Sequence, residues 1–166
     1  DPLHKGCPLS DSDRDMVPDG EDACPDKPGA PDKNPKRNGC PNPFVEVNNG
    51  RVLLKQVIAF KFNSDAILPQ SNLILTALAN VLRDTPAIKK VRIEGHTDNA
   101  GNPDANLDLS RLRAESVMRF LTDHGIEASR LEAQGLGDTR PIADNATQAG
   151  RGKNRRVEFI IVDPAQ

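Results

Sequence analysis

The chain has few aromatic residues, and this scarcity argues against several kinds of ligand. Its 166 residues include five Phe, no Trp and no Tyr, which disfavours a site that stacks bases or sugars on aromatic rings. The formal net charge is only -2, so no overall positive field points to nucleic acid. No apolar run approaches the roughly 20 residues of a membrane-spanning helix, and no signal peptide is visible. Because the chain starts at Asp1 without Met, we expect a mature protein or a piece of a longer one.

Cysteine is absent from most of the chain, and its distribution divides the sequence in two. All three Cys and nine of the fourteen Pro lie within the first 43 residues. This change in composition predicts an irregular spacer over residues 1–43 and a compact domain over residues 44–166. We call these parts the N-terminal segment and the C-terminal domain.

The N-terminal segment contains an acidic run with the spacing of a calcium-binding loop. Counted from Asp11, five aspartates occupy positions 1, 3, 5, 9 and 12, and position 7 offers a backbone carbonyl. An EF-hand loop surrounds a hard cation with oxygen ligands in this register. Met16 replaces the usual glycine and position 12 is Asp instead of Glu, so a solvated acidic linker is the alternative. The predicted calcium ligands are Asp11, Asp13, Asp15, Val17, Asp19 and Asp22.

The cysteines follow a short repeat that suggests how they pair. "HKGCP" at residues 4–8 recurs as "RNGCP" at residues 37–41, and Cys24 lies 16 residues before Cys40. If each cysteine of the repeat pairs with one about 16 positions upstream, Cys24 pairs with Cys40 and the partner of Cys7 precedes residue 1. The competing pairing is Cys7 with Cys24. Either pairing fits an oxidising compartment.

The stretch from about residue 7 to residue 41 resembles a thrombospondin type 3 repeat. The resemblance rests on Asp11, Asp13 and Asp15, spaced two residues apart, followed by "DACP". It implies bound calcium and a stiff spacer.

The C-terminal domain shows an alternation of strand and helix patterns that predicts an α+β fold. "FVEVNNGRVLL" reads as a hairpin, "VIAFKFN" as a third strand with Phe60 and Phe62 on one face, and "KKVRIEG", "RLEAQG" and "RRVEFIIV" as later strands. Pro69 and Ser71 open one helix, and a second runs from about Asp104 to His124. Two helices on one face of a mixed sheet is the packing that this order favours. The expected core positions of the first helix are Ile74, Leu75, Leu78, Val81 and Leu82.

Asp98 and Arg113 are the charged residues with the clearest functional placement. Asp98 follows the predicted strand "VRIEG", where α/β folds often form pockets. On a helical wheel, Arg113 lies at the border of the buried face, about 40° from Val117. The two residues either form a private ion pair, which contributes about 0–1 kcal/mol when exposed, or hold a ligand that carries an ammonium and a carboxylate. Nearby polar residues that would complete such a site are Asn63, Thr97 and Asn106.

Residues 57 to 163 resemble the OmpA-like peptidoglycan-binding domain. The matching stretches are "FKFNSDAIL", "VRIEGHTDNAG", "NLDLSRLRAESV", "LEAQGLGDTRPIADN" and "GKNRRVEFII". The resemblance implies a β/α/β/α/β fold that binds the diaminopimelate of the cell-wall stem peptide without catalysis. It implies that Asp98 takes the ligand's ammonium and Arg113 its carboxylate, with Asn63, Thr97 and Asn106 beside them. Leu109, on the same helix, and Arg156, in the basic run at residues 151–156, complete the predicted binding set.

The resemblance also implies where the protein acts. We expect it on the periplasmic side of the outer membrane, tethering that membrane to peptidoglycan, and the sequence leaves open whether an outer-membrane barrel lies upstream. The alternative is a stator- or lipoprotein-type relative that acts mainly through protein partners. A wall hydrolase is a further rival, but His96, Asp98 and Ser110 do not have the arrangement of a catalytic triad. We therefore predict a non-enzyme with calcium as its cofactor and no nucleic-acid partner.

Overall fold

A computed structural model describes residues 10–15, 17–29 and 31–162. The helices and strands follow the order β1 (Val45–Asn48), β2 (Arg51–Leu54), α1 (Asn72–Asp84), β3 (Val91–His96), α2 (Pro103–Asp123), β4 (Leu131–Gly135), α3 (Gln148–Asn154) and β5 (Arg156–Ile161). Short 3-10 turns at Pro69–Ser71 and Ala128–Arg130 precede α1 and β4. The predicted α+β class, with helices on a mixed sheet, is confirmed.

The five strands form one sheet in the order β1-β2-β5-β3-β4. Only β3 and β4 run parallel, and the other neighbours are antiparallel. The β3–β5 pairing is long and extends from Val91↔Ile161 to His96↔Arg156. The β2–β5 pairing has only two residue pairs, Arg51↔Ile160 and Val52↔Phe159. β5 therefore joins the N-terminal hairpin to β3, the strand that leads into the Asp98 loop.

The core lies between α1, α2 and one face of the sheet. Alternate residues of β3, Val91 and Ile93, are fully buried there with Phe159 of β5, because successive side chains of a strand point to opposite faces. None of the helices in the described ranges combines the length and the apolarity that crossing a bilayer requires. The five core positions predicted for α1 are all buried: Ile74, Leu75, Leu78, Val81 and Leu82.

The segment "VIAFKFN" is not the third strand that its alternation predicts. Its only bridge joins Phe60 to Ile67, and backbone hydrogen bonds from Lys61 to Ala66 and from Leu68 to Ala59 fold it back on itself. Asn63 has a positive φ of 48°, which turns the chain at that point. Phe60 packs on the core, whereas Phe62 is 89% exposed, so the two rings do not share a buried face.

One helix was absent from the predicted order. α3 covers "QAGRGKN" and is capped by Thr147, whose hydroxyl accepts a hydrogen bond from the Gly150 backbone at 2.9 Å. The two glycines and the basic residues of this stretch indicate a loop by composition, because glycine disfavours helix interiors. Asn154, at the end of α3, is completely buried and anchors the preceding loop.

The described part of the N-terminal segment has no helix or strand and is held by a disulfide and short hydrogen bonds. Cys24 is joined to Cys40, the pairing that the repeat favoured. The backbone N–H of Ala23 donates to the Asn38 carbonyl at 2.8 Å beside this bridge. Val17 is 3% exposed. Cys7 lies outside the described residues, as does Met16.

Candidate functional site

The candidate site forms where β3 ends and α2 begins. Gly95 of β3 faces α2 so closely that an added Cβ atom would collide with the Ser110 carbonyl oxygen. The missing side chain lets α2 lie directly over the end of the strand. Ser110 is fully buried, and its hydroxyl donates to the Leu107 carbonyl and accepts from the Gly137 backbone. The Ser110 hydroxyl therefore links α2 to the loop after β4.

The loop that carries Asp98 is fixed by the start of α2. Asn102 caps the helix, and its side chain accepts from the backbone N–H groups of Asp104 and Ala105. The Asn106 amide donates to the Ala100 carbonyl at 2.9 Å and to the Asp98 carbonyl at 3.4 Å. Both hydrogen bonds are donated by the side-chain nitrogen of Asn106, so this residue fixes the loop at the edge of the site.

Asp98 is only 9% exposed, and both of its oxygens are engaged. One accepts from the Ala100 backbone at 2.9 Å, and the other accepts from the Arg155 guanidinium at 2.7 Å. Burial alone would raise the pKa of Asp98. The hydrogen bonds from Arg155 and Ala100 outweigh burial and hold this pKa below its usual value. The carboxylate is therefore ionised at neutral pH.

Arg113 is held in place without a carboxylate partner among the described residues. Its Nε donates to the Ser64 carbonyl at 3.0 Å, and its guanidinium lies 5.0 Å from the centre of the Phe60 ring. Burial and then the positive charge of Arg155 lower the pKa of Arg113, although an arginine stays protonated in proteins. The two terminal nitrogens thus remain available to an anionic ligand.

Asp98 and Arg113 line one open cavity of about 630 Å³. The hydroxyl oxygen of Thr97 is buried without a hydrogen-bond partner in the described part of the chain. Asp98 and Arg113 form no ion pair with each other within 4.0 Å. We call this cavity the pocket. Its lining includes six residues of the predicted binding set, namely Asn63, Thr97, Asp98, Asn106, Leu109 and Arg113.

Arg156, the seventh residue of that set, lies outside the pocket on the opposite face of the sheet. Its guanidinium donates to Glu158 at 2.8 Å and to the carbonyls of Asn154 and Arg140. Its neighbour Arg155 lines the pocket and pairs with Asp98 instead. Arg155 caps the end of α3 and immediately precedes β5, which begins at Arg156. The basic run in the sequence does not indicate which of these two adjacent arginines lines the pocket.

The acidic run brings together three of its five aspartates. Carboxylate oxygens of Asp11, Asp13 and Asp15 lie within 4.8 Å of one another. Burial and then the negative charge of Asp15 raise the pKa of Asp13, and one oxygen of Asp13 is buried without a hydrogen-bond partner. A hard cation would satisfy both conditions, so this donor set fits calcium.

The other predicted calcium ligands are arranged differently. Asp19 accepts hydrogen bonds from the backbone and hydroxyl of Ser12 at 2.8 and 2.9 Å, and these bonds lower the pKa of Asp19. Asp22 accepts from the Cys24 backbone at 2.6 Å, and its second oxygen is buried without a partner. The backbone N–H of Val17 donates to Asp15 at 2.8 Å. Asp19 and Asp22 are thus not members of the three-residue cluster.

Comparison with known proteins supports the resemblance seen in the motifs. The model of the OmpA family matches residues 59–155, more than half of the chain. The outer-membrane lipoprotein YfiB of Pseudomonas aeruginosa is 45% identical over 104 residues, which cover 63% of this chain and 61% of that protein. Outer membrane porin F of the same organism is 39% identical over 153 residues, covering 92% of this chain and 41% of the porin. The chain thus spans less than two thirds of either relative.

A solved structure shares the fold. The peptidoglycan-associated lipoprotein from Burkholderia pseudomallei aligns with a TM-score of 0.58 at 32% identity, covering 64% of this chain and 89% of the other. The alignment covers a share of this chain similar to that of the family match.

Proposed function

The chain belongs to the OmpA family, and we propose that its pocket binds peptidoglycan noncovalently through the diaminopimelate of the stem peptide. The observation that carries this proposal is the meeting of Asp98 and Arg113 in one cavity without a direct ion pair between them. An amino-acid head group carries the complementary ammonium and carboxylate. The choice of peptidoglycan as the ligand is supported by the similar fold of a protein named peptidoglycan-associated lipoprotein.

Arg113 is assigned to the ligand's carboxylate. Its Nε is already bonded to the Ser64 carbonyl, so the fork is oriented before a ligand arrives. A carboxylate would meet the two terminal nitrogens, and each charge-assisted hydrogen bond contributes about 1.5–3 kcal/mol. The Phe60 ring behind the guanidinium limits its movement.

Asp98 is assigned to the ligand's ammonium, which must share or displace Arg155. Arg155 occupies one Asp98 oxygen at 2.7 Å, and 48% of its side chain is exposed. An exposed arginine can move into water when an ammonium takes its place. Because one ion pair replaces another at Asp98, most of the net gain on binding comes from Arg113. A single domain should therefore bind weakly, and many copies on one sacculus would hold firmly through avidity.

Sedimentation with insoluble peptidoglycan tests this proposal. Arg113→Ala should lower the affinity at least about 10-fold, which corresponds to the loss of one charge-assisted bond of about 1.5 kcal/mol. Asp98→Ala should also lower the bound fraction, but by less, because Arg155 already pairs with Asp98 in the free protein. Arg111→Ala is the matched control, because Arg111 lies on the exposed side of α2 and pairs with Glu115. Circular dichroism melting checks the fold of each variant. If both pocket variants sediment like the wild type, the pocket does not bind peptidoglycan.

Titration with free stem peptides tests the identity of the ligand. A peptide containing diaminopimelate should shift the NMR signals of residues 96–113 and 63, and a peptide containing lysine, which lacks the second carboxylate, should bind more weakly. Equal affinity for the two peptides would refute the role of Arg113 while leaving peptidoglycan binding intact. Release of soluble muropeptides during incubation would instead show a hydrolase.

We further propose that the N-terminal segment, residues 1–43, is a calcium-bound spacer and that the C-terminal domain, residues 44–166, grips the wall from the periplasmic side of the outer membrane. The cluster of Asp11, Asp13 and Asp15 supports calcium. Calorimetric titration should give calcium binding that Asp13→Asn weakens and that Asp26→Asn, outside the run, leaves unchanged. Identical binding in both variants would place calcium elsewhere.

A further inference from the structure

A second cluster of ionisable side chains lies on the sheet face opposite the helices. Glu94 of β3 and Glu158 of β5 are directly opposed in the register of the two strands, and His96 follows Glu94 on the same face. One ligand atom from each of the three lies within 4.8 Å of the others. We call Glu94, His96 and Glu158 the open-face cluster. It lies on the other side of β3 from the core and takes no part in the proposed peptidoglycan contacts.

His96 is the unusual member, because its ring is buried without hydrogen bonds. Its side chain is 1% exposed, and neither ring nitrogen has a partner among the described residues. A buried polar group without a hydrogen-bond partner is destabilising. The Nε2 atom lies 3.8 Å from one oxygen of Glu94 and 3.8 Å from one oxygen of Glu158. These distances are too long for hydrogen bonds, but they place all three atoms around one point.

The two glutamates are fixed in a way that leaves one oxygen of each directed at His96. The Oε1 atoms accept from Arg92 and Arg156, both at 2.8 Å. The Oε2 atoms make only longer ion-pair contacts of 3.6 to 3.8 Å, with His96, Arg51 and Arg140. Like charges directly opposed across two strands are destabilising, so a cation between Glu94 and Glu158 would be favourable. The cluster therefore presents two carboxylate oxygens and one imidazole nitrogen to a shared point.

From this arrangement we propose that the open-face cluster binds a divalent transition-metal ion of the Zn²⁺ class, with Glu94, His96 and Glu158 as its three protein ligands. Zinc accepts nitrogen and carboxylate ligands at about 2.0–2.2 Å in a tetrahedron whose edges are about 3.3–3.6 Å. The two nitrogen–oxygen separations of 3.8 Å need to shorten by only a few tenths of an ångström, and the two carboxylate oxygens, which lie within 4.8 Å of each other, would also move closer. Water would occupy the fourth position.

The surrounding arginines are compatible with a bound cation. The two arginines nearest the inner oxygens, Arg51 and Arg140, have side chains that are 54% and 62% exposed, so both can move into water as a metal enters. Arg92 and Arg156 stay on the outer oxygens and orient the ligands, as supporting groups do at metal sites.

Titration of the full chain with Co²⁺ and Zn²⁺ tests the proposal. The titration uses a Cys7→Ser variant, which removes a thiol that could compete for the metal. It is carried out in saturating calcium, so that the acidic run at residues 11–22 is already occupied. We expect one equivalent of Co²⁺ to bind with a visible d–d absorption band that Zn²⁺ abolishes. Glu158→Gln should weaken Zn²⁺ affinity at least 10-fold, whereas Glu132→Gln, on the same face but outside the cluster, should leave it unchanged. Equal affinity in the two variants would overturn the proposal.

A measurement on the unsubstituted cluster guards against variants that misfold. Nitrogen-15 NMR of the imidazole rings should show a Zn²⁺-induced shift of the His96 Nε2 signal, with those of His4 and His124 unchanged. A shift confined to His4 or His124, or no shift at all, would refute the site. Sedimentation with peptidoglycan does not depend on this outcome, because the metal ligands and the pocket lie on opposite faces of the sheet.

Discussion

Replacing Asn154 should destabilise the C-terminal domain more than any other single asparagine change in the described sheet and helices. Asn154 is completely buried, and its side-chain oxygen accepts from the backbones of Ile142 and Ala143 at 2.7 and 3.0 Å. Its amide donates to the Ala143 carbonyl at 2.9 Å and to Asn145 at 2.8 Å. One side chain thus makes four hydrogen bonds to the loop at residues 142–145.

The magnitude follows from these four bonds. Each contributes about 0.5–1.5 kcal/mol net, and water can replace some of them because the loop is partly exposed. We therefore expect Asn154→Ala to lower the free energy of unfolding by about 3 kcal/mol. With a urea m-value of about 1–3 kcal/mol per molar, the midpoint should fall by about 1–3 M at unchanged m.

Two further variants sharpen the test. Asn80→Ala is the control, since its exposed side chain accepts only from Arg83, and it should change stability by less than about 0.5 kcal/mol. Asn154→Asp keeps the acceptor but buries an acid, whose pKa should rise, so this variant should lose stability as pH rises from 4 to 7. If Asn154→Ala lowers the free energy of unfolding by less than about 1 kcal/mol, Asn154 is not the residue that anchors this loop.

Three other predictions concern charge, packing and cross-linking. Because the folded pKa of Asp98 lies below its unfolded value of about 3.9, its contribution to stability should be constant above about pH 5 and lost as pH falls below 4 in urea titrations; Asp98→Asn should remove that dependence. Gly95→Ala should cost about 1–3 kcal/mol by pushing α2 off β3, whereas Gly20→Ala, with open space around it, should be silent in the same melts. Replacing Cys24 and Cys40 by Ser should remove about 3 kcal/mol of constraint from the N-terminal segment and speed its proteolysis, without lowering the melting temperature of the C-terminal domain.

The pattern of apolar residues was enough to predict α1 and α2, because each carries a stripe at helical spacing. The prediction of secondary structure failed where local chemistry competes with the periodicity of apolar residues. Phe60 and Phe62 alternate like strand residues, but Asn63 adopts a left-handed turn that folds the segment back. α3 contains two glycines, which disfavour a helix. It is stabilised by its Thr147 cap and by the long-range hydrogen bonds of Asn154, and helix propensities do not include such long-range contacts.

Much of the pocket was also predictable, because its residues occur in motifs at a strand end and on one helix. The missing partner was Arg155, 57 residues from Asp98 along the chain. Its role depends on the register of β5 against β3, and a run of adjacent basic residues does not indicate which of them faces the helices. The open-face cluster likewise depends on strand register and could not be read from spacing alone.

The short β2–β5 pairing has a mechanical consequence if the domain serves as a tether. Tension from a ligand in the pocket would enter the sheet at the end of β3, and tension from the N-terminal segment would enter at β1, the strand at the far edge. The load would pass through β5 and β2, which share only two residue pairs, compared with six between β3 and β5. Under force, the N-terminal hairpin should therefore peel away first, leaving β3, α2 and the ligand contacts together.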